Sequence, residues 1–167
     1  MKIIFVRHAQ AIENTQDHED AARFLTPEGR LQIRRSAKTM RDKGLDPNLI
    51  LTSPFLRAVQ TADILAEKIS YSGSLIPVKD LSPGFDREGM QRLLAYYKTV
   101  EELVLVGHEP DLGMLVSRLL SLPEDIKLRK GSAVKLSVDP ANPFSTAAFK
   151  WLVDGRIHCV SEKKLVP

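Results

Sequence analysis

Two arginines and two histidines of this sequence stand where apolar runs end, each directly after a run or near the start of the segment that follows it. The runs cover residues 2–6, 49–51 and 103–106. The four side chains, named here the Arg–His quartet, are Arg7, His8, Arg57 and His108. Short apolar runs are typical of strands buried on both faces, and ligands of open α/β sheets bind outside the carboxyl ends of such strands. Arginines suit an anion there, and histidines can perform chemistry on it.

A single arginine is most often a surface group, and a single histidine is more often structural than catalytic. The shared placement of the quartet is what favours a functional site. Other mechanisms fit poorly: His108-Glu109 lacks the second histidine of a zinc-protease helix, and Cys159, the only cysteine, has no downstream arginine. Neither a G-x-S-x-G elbow nor a G-x-x-x-x-G-K-[ST] loop occurs. Since the strand ends are cationic and no metal-ligand set is visible, we expect covalent catalysis through a histidine nitrogen, with no metal and no cofactor.

Composition sets the broad class of protein. The 167 residues are 43% hydrophobic and 27% charged, which fits one globular domain over residues 1–167. The net charge of +3 is too balanced to indicate a nucleic-acid partner, and no apolar run is long enough to span a membrane. We interpret the basic clusters at 127–130 and 162–164 as solvated surface. With no secretory signal at the N-terminus, we expect a cytoplasmic protein. We also expect a monomer.

The rest of the chain alternates between helix and strand signals. Helices are predicted at 27–43, 54–69, 90–97 and 110–120, and a further strand is predicted at 75–78. Thr26, Pro27 and Gly44 mark the two ends of the first helix, and Ser53-Pro54 repeats the N-cap signature for the second. Alternating segments at 133–138 and 146–153 predict an antiparallel hairpin. This order predicts a three-layer α/β/α sandwich with a mostly parallel central sheet and a C-terminal antiparallel hairpin at its edge.

Three segments together resemble the histidine phosphatase superfamily, which has the phosphoglycerate mutase-like fold. They are Arg7-His8-Ala9, the run S-P-F-L-R-A-V-Q-T-A at 53–62, and Val106-Gly107-His108. The resemblance covers essentially the whole chain. The short chain with few insertions is similar to the SixA-type phosphohistidine phosphatases of that superfamily.

The resemblance implies a role for each member of the quartet. His8 would be the nucleophile that becomes phosphohistidine, while Arg7, Arg57 and His108 would hold the phosphoryl oxygens. Asn14, six residues after His8, would add a further phosphate contact. Because His8 must be neutral to attack, we expect the neighbouring arginines to lower its pKa.

Two departures from the family pattern bear on the reaction. Ala9 stands where the family usually has glycine; alanine would be strained by roughly 1 kcal/mol or more at a positive φ, and we expect it to be harmless. Members that cleave phosphate esters usually carry an acidic general acid after the third strand, and the glutamate of that pattern is missing here. Asp80, Asp86 and Glu88 are the available substitutes.

The missing acid favours a phosphorus–nitrogen substrate, because an alkoxide needs a proton on departure whereas a phosphohistidine imidazole can take one from water. The leading hypothesis is therefore a metal-independent phosphohistidine phosphatase. Its substrate would be a phosphohistidyl signalling protein, such as a histidine phosphotransfer domain. A small-molecule phosphomonoesterase or mutase of the same fold is the alternative. A non-catalytic module that binds phosphate or a phosphoprotein is the remote alternative.

Overall fold

A seven-stranded sheet lies at the centre of the computed structural model, which describes residues 1–14, 19–162 and 165. The strands are β1 (Lys2–Arg7), β2 (Leu49–Thr52), β3 (Leu75–Pro77), β4 (Glu102–Gly107), β5 (Ala133–Ser137), β6 (Ala148–Asp154) and β7 (Ile157–Cys159). The helices are α1 (Pro27–Asp42), α2 (Leu56–Ile69), α3 (Arg87–Tyr96), α4 (Asp111–Leu119) and the short α5 (Pro143–Thr146). Two lysines of the 162–164 cluster lie outside the described residues.

The strand order is β3-β2-β4-β1-β5-β6-β7. The first four of these strands are parallel, and β5, β6 and β7 continue the sheet in antiparallel fashion. The α/β class with a largely parallel sheet is thus confirmed. The antiparallel part has three strands rather than the two of a hairpin, because Gly155, at a φ of +60°, turns the chain from β6 into β7.

Helices cover both faces of the sheet. Successive residues of β1 point to opposite faces: Ile3 and Phe5 pack with α3 and α4, while Ile4 and Val6 pack with α1 and α2. All four side chains are fully buried. A strand that is apolar at every position is what a layer between two layers of helices requires, and the three-layer sandwich is confirmed.

The predicted caps are confirmed for α1, whereas α2 begins later than predicted and α3 begins at Arg87 rather than at residue 90, because Asp86 caps it. Thr26 accepts a hydrogen bond from the Gly29 N–H at 3.0 Å and Pro27 opens α1, as predicted. The prediction for α2 was wrong, since this helix begins at Leu56 and Ser53 does not cap it. The Ser53 hydroxyl instead accepts from the Phe55 N–H at 3.2 Å, which makes a turn before the helix.

No helix in the described part of the chain has the length and apolar character that crossing a membrane requires.

Candidate active site

The carboxyl ends of β1, β2 and β4 meet at one edge of the sheet. In the parallel ladder Arg7 of β1 lies opposite Gly107 of β4, and Thr52, the last residue of β2, lies opposite Val106 of β4. The His8 N–H donates to the Gly107 carbonyl at 3.0 Å, so His8 and His108 leave neighbouring strands side by side. Their ring centroids are 5.1 Å apart, and the rings are tilted by 57°. The sequence prediction that these two histidines share a site therefore has a structural basis.

Arg57 reaches the same edge from the second residue of α2 and is only 5% exposed. Its guanidinium lies 4.9 Å from the centre of the Phe55 ring, and that ring makes an edge contact with His108 at 5.2 Å. Phe55 thus packs between Arg57 and His108. All four members of the quartet are brought together.

The hydrogen bonding of His8 leaves one ring nitrogen free to attack. Its Nδ1 is 2.7 Å from the Ala9 carbonyl oxygen, which can only accept, so Nδ1 carries the hydrogen. Burial lowers the pKa of His8 to about 4; the bond to Ala9 opposes this, and the charges of Arg57, Arg7 and Lys130 reinforce it. The expected influence of the arginines is confirmed, with burial as the larger cause. At neutral pH the Nε2 atom of His8 therefore carries a lone pair.

His108 is held by a serine that the motif contains. Its Nε2 lies 2.8 Å from the Ser53 Oγ. Burial lowers the pKa of His108 to about 3, and the nearby His8 and Arg57 act in the same direction. His108 is therefore a neutral group whose ring orientation Ser53 fixes.

Three buried nitrogen atoms of the quartet have no hydrogen-bond partner: Arg7 Nε, Arg57 Nε and His108 Nδ1. No other buried side-chain nitrogen or oxygen atom of the described residues lacks a hydrogen-bond partner. A buried unpaired donor costs roughly 1–3 kcal/mol, so the two arginine Nε donors at one edge of the sheet indicate a place for an anion. An anion at His108 Nδ1 requires the hydrogen on that atom, and the Ser53 hydroxyl then donates to Nε2.

Asp20 is an unforeseen partner of Arg57. The Arg57 Nη1 donates to the Asp20 carbonyl at 2.6 Å, and its Nη2 donates to the Asp20 carboxylate at 3.1 Å. Arg23 donates to the other carboxylate oxygen at 2.8 Å. Partial burial works to raise the pKa of Asp20, but the bonds from Arg23 and Arg57 outweigh it and hold the pKa below its usual value. An acid in a polar loop gives no sequence signal for such a role.

Two further motif residues tie neighbouring segments to the site. The Ala9 N–H donates to the Thr61 Oγ1 at 3.1 Å, and Thr61 in turn donates to the Arg57 carbonyl at 2.6 Å. The Leu25 N–H donates to the Gln60 side chain at 2.8 Å. The motif at 53–62 therefore does more than supply Arg57, since it also fixes the backbone after His8. The match of residues 53–62 to the family motif was the sequence feature that could have indicated these roles.

Arg7 is held by the loop that precedes β5. Its Nη1 donates to the Leu128 carbonyl at 2.7 Å. The Gly131 N–H donates to the carbonyls of Arg7 and His8 at 3.1 and 3.2 Å. Burial lowers the pKa of Arg7, and the charge of Glu109 opposes that shift.

Glu109 lies beside Arg7 and is half-buried. Burial raises the pKa of its carboxyl to about 7, although Arg7 and the N–H groups of Gly113 and Leu128 act against the rise. The Gly113 N–H donates to it at 3.0 Å. A side chain at Gly113 would collide with the Ile126 carbonyl and the Glu109 carboxylate, so this contact requires glycine. In the sequence, Glu109 has no signal for this position beyond following His108 in a pattern that lacks the second histidine of a zinc protease.

Asn14 is not brought to the quartet by any hydrogen bond among the described residues, and its side chain is exposed. Ala9 is fully buried, and its φ is not positive: the non-glycine residues with positive φ in the described ranges are Ser70 and Ser121. The expectation that Ala9 is harmless to the backbone is confirmed.

None of the three acidic candidates makes a hydrogen bond or an ion pair with the quartet among the described residues. Asp86 accepts from the Gly89 N–H at 2.8 Å as the N-cap of α3, and Glu88 is exposed in the first turn of that helix. Asp80 pairs with Arg92 at 3.3 Å. Within residues 1–14, 19–162 and 165, no group of three or more His, Cys, Asp or Glu side chains is arranged to hold a metal ion.

Comparisons with known proteins agree with the motifs. The family model described as histidine phosphatase superfamily (branch 1) matches residues 3–81. An uncharacterized protein of Picosynechococcus sp. (strain PCC 7002) is 38% identical over 119 residues, which are 68% of this chain and 69% of that protein. The chain belongs to the histidine phosphatase superfamily. The phosphohistidine phosphatase SixA of Escherichia coli (strain K12) is another relative of this superfamily member, 27% identical over 124 residues, or 71% of this chain and 74% of SixA.

Solved structures place this histidine phosphatase superfamily member in the expected fold. SixA complexed with tungstate matches with a TM-score of 0.82 at 23% identity, over 93% of this chain and 97% of that one. The alpha-ribazole phosphatase from Shigella flexneri matches with a TM-score of 0.68 at 15% identity, over 97% and 100%. The phosphoglycerate mutase-like fold in its short SixA-type form is confirmed.

Proposed function

We propose that this protein is a metal-independent phosphohistidine phosphatase that works through a covalent phosphohistidine on His8. The observation that carries the proposal is the set of three unpartnered buried nitrogen atoms beside a neutral His8: the Nε donors of Arg7 and Arg57, and His108 Nδ1, which donates when the Ser53 hydroxyl donates to Nε2. Such donors fit a phosphoryl group, whose oxygens need several hydrogen bonds at once. The similarity to SixA, which is named a phosphohistidine phosphatase, supports the same substrate class.

In the first step the lone pair of His8 Nε2 attacks the phosphorus atom. The new bond joins phosphorus to Nε2, and the bond between phosphorus and the substrate imidazole breaks. Arg7 and Arg57 offset the charge that spreads over the equatorial oxygens, and His108 donates from Nδ1. In the second step water attacks the phosphorus, the bond to Nε2 breaks, and inorganic phosphate leaves.

The position of the acidic residues favours a phosphorus–nitrogen bond as the target. Asp80 pairs with Arg92, Asp86 caps α3 and Glu88 is exposed, and none of the three makes a hydrogen bond or ion pair with the quartet among the described residues. The departing imidazole of a phosphohistidine needs no acid from the enzyme, because its second nitrogen exchanges protons with water. We propose a phosphohistidine-containing protein, such as a histidine phosphotransfer domain, as the substrate.

A small-molecule phosphomonoesterase is the second candidate, and Glu109 favours it. With a pKa of about 7, the carboxyl of Glu109 is partly protonated at neutral pH, and it directly follows His108 in the chain. A carboxylic acid in that state can protonate an alkoxide. Ester hydrolysis that Glu109→Gln abolishes would support this candidate.

The test is release of label from a phosphohistidine-labelled phosphotransfer domain with EDTA present. Wild type and His158→Ala should release it, whereas His8→Ala should not. His158 is a matched control because it lies on β7 at the far edge of the sheet. Parallel reactions would contain p-nitrophenyl phosphate and 3-phosphoglycerate.

Two outcomes would contradict the proposal. Retained protein label beside rapid ester hydrolysis would indicate the phosphomonoesterase. Phosphate binding without turnover of any substrate would indicate the non-catalytic module.

A further inference from the structure

The loop at residues 126–131, named here the basic rim loop, presents positive charge beside the site. Lys127, Arg129 and Lys130 are all exposed, and the two residues between and before them, Ile126 and Leu128, are only 7% and 2% exposed. Both buried residues belong to the core that α3 and α4 form with the sheet. Because these apolar side chains anchor the loop, the basic side chains cannot turn inward. These basic residues are solvated, as the sequence predicts, and they also lie at the rim of the candidate active site.

The basic rim loop is fixed relative to the nucleophile. The Leu128 carbonyl accepts from Arg7 at 2.7 Å, and the Gly131 N–H donates to the His8 carbonyl at 3.2 Å. The Ser132 hydroxyl donates to the Arg129 carbonyl at 2.7 Å. Lys130 is near enough for its charge to lower the pKa of His8. These hydrogen bonds therefore fix the backbone of the loop that carries the positive charges relative to His8.

The positive surface extends further than one phosphoryl group can occupy. Arg7 and Lys127 line a common groove of about 460 Å³, whose wall also includes Met114 and the acidic residues Glu109 and Asp125. The Arg129 side chain is 80% exposed, and its contact with Asp154 is a long one of 3.4 Å. An exposed pair of this kind contributes little to stability, so Arg129 is available to a partner.

Acidic groups limit the positive surface to one side. Glu124 and Asp125 directly precede the loop and are exposed, and Asp20 lies beside Arg57. Complementary charges orient a partner and speed its association. A partner with acidic groups on one side of its phosphorylated residue would be held with that side over Lys127 and Arg129.

We propose that the basic rim loop is the docking surface for an acidic face of the phosphohistidine-containing protein substrate. This inference rests on the proposed function and names how that substrate is recognised. Once its phosphohistidine enters the quartet, the remainder of a protein must lie over this edge of the sheet. Small phosphoramidates gain nothing from the loop beyond the quartet itself.

The test compares two phosphorus–nitrogen substrates: a phosphohistidine-labelled phosphotransfer domain and inorganic phosphoramidate. The variant is Lys127→Glu with Arg129→Glu. The matched control is Lys38→Glu with Lys98→Glu, which makes the same change in net charge. Both control residues are exposed. Lys38 lies near the end of α1 and Lys98 follows the end of α3, so both lie towards the amino ends of the strands, opposite the site.

For the labelled protein we expect kcat/KM of the rim variant to fall about tenfold or more, mainly through KM. Turnover of phosphoramidate should change less than about twofold, and the control variant should match wild type on both substrates. Raising the salt concentration from about 0.05 M to about 0.5 M should reduce the difference between wild type and the rim variant, because salt screens exposed charges. Lys127→Ala with Arg129→Ala should give a smaller loss in the same direction.

An unchanged kcat/KM of the rim variant on the labelled protein would overturn the inference. An equal loss on both substrates would also overturn it, because the loop would then act on the phosphoryl group itself. In both cases wild type still hydrolyses phosphorus–nitrogen bonds, so the proposed function stands. If wild type hydrolyses neither substrate, the proposed function has failed and the inference fails with it.

Discussion

Replacing Asp20 by asparagine should tighten the binding of phosphate-like anions. The Asp20 carboxylate lies 3.1 Å from the Arg57 Nη2, where it partly neutralises a charge that a phosphoryl group needs. Asparagine keeps the size of the side chain. It also keeps the backbone carbonyl that accepts from Arg57 Nη1 at 2.6 Å. The substitution therefore removes the competing charge and little else.

The size of the effect follows from the exposure of the pair. Hydrogen bonds to charged groups contribute roughly 1.5–3 kcal/mol when buried, and exposed ion pairs contribute about 0–1 kcal/mol. Arg57 is buried but the Asp20 side chain is 41% exposed, so a value near the lower range, about 1 kcal/mol, is appropriate. That free energy corresponds to roughly fivefold tighter binding of an anion to Arg57.

The same substitution should lower the stability of the folded protein. Asp20 also accepts from Arg23 at 2.8 Å, and asparagine weakens both contacts. We expect the free energy of unfolding in urea to fall by about 1 kcal/mol. Tighter anion binding by a less stable protein would separate the electrostatic effect from a general improvement in folding.

The assay is competitive inhibition of phosphoramidate hydrolysis by vanadate and by inorganic phosphate. Asp80→Asn is the matched control, because Asp80 also pairs at 3.3 Å with an arginine, Arg92, which is not a member of the quartet. Inhibition constants that rise about fivefold in Asp20→Asn would refute the reasoning, since Asp20 would then orient Arg57 for the phosphoryl group. Unchanged constants would refute it as well.

Three other substitutions test other parts of the site. The lowered pKa values of His8 and His108 reduce the free energy of unfolding as the pH falls below about 6.5, because the unfolded chain then binds more protons than the folded protein. The raised pKa of Glu109 has the opposite effect between about pH 7 and about pH 4.5, because there the folded protein binds the extra proton. Glu109→Gln removes the opposing effect, so its free energy of unfolding should fall more steeply from about pH 7 to about pH 5 than that of wild type, and an equal slope would contradict this. Ala9→Gly should lower thermal stability by about 1 kcal/mol with activity within about twofold, and a large gain in activity would show that the methyl group obstructs the site. Ser53→Ala should lower kcat about tenfold, since it leaves the His108 ring unheld, and should cost roughly 1–3 kcal/mol in urea denaturation; full activity would show that the 2.8 Å contact is dispensable.

The quartet could be predicted because its signals are local. Each strand that leads to it is a short apolar run buried on both faces, and the quartet residue follows that run closely in the sequence, Arg57 in the first turn of the next helix. Parallel strands then bring these ends to one edge whatever the details of packing. This reasoning needs no knowledge of side-chain contacts, and it located Arg7, His8, Arg57 and His108.

The partners of the quartet could not be predicted, because they come from segments that only the tertiary structure brings near. Asp20 belongs to a polar loop with no periodicity, and Glu109 depends on the approach of the loop at 126 to Gly113. The start of α2 was misjudged for a related reason. Ser53 has the right type for an N-cap, but its hydroxyl is engaged by His108 and by the Phe55 N–H.

The basic rim loop shows a different limit of sequence reasoning. Alternation of apolar and basic residues over 126–130 is also what an ordinary surface segment shows. The hydrogen bonds of Leu128 with Arg7, and of Gly131 with Arg7 and His8, place these charges at the site, and the sequence does not show them. The third antiparallel strand, β7, was missed because it has just three residues after the turn at Gly155.

The position of the phosphoryl group in a trapped reaction intermediate tests the central claim most directly. Wild type would be mixed with a phosphohistidine-labelled phosphotransfer domain in EDTA, quenched in alkali and mapped by mass spectrometry and phosphorus NMR. Label should appear on Nε2 of His8 in wild type and in His158→Ala, and it should be absent in His8→Ala. Label on the Nδ1 atom of His8, on another residue, or on none during active turnover would contradict the account.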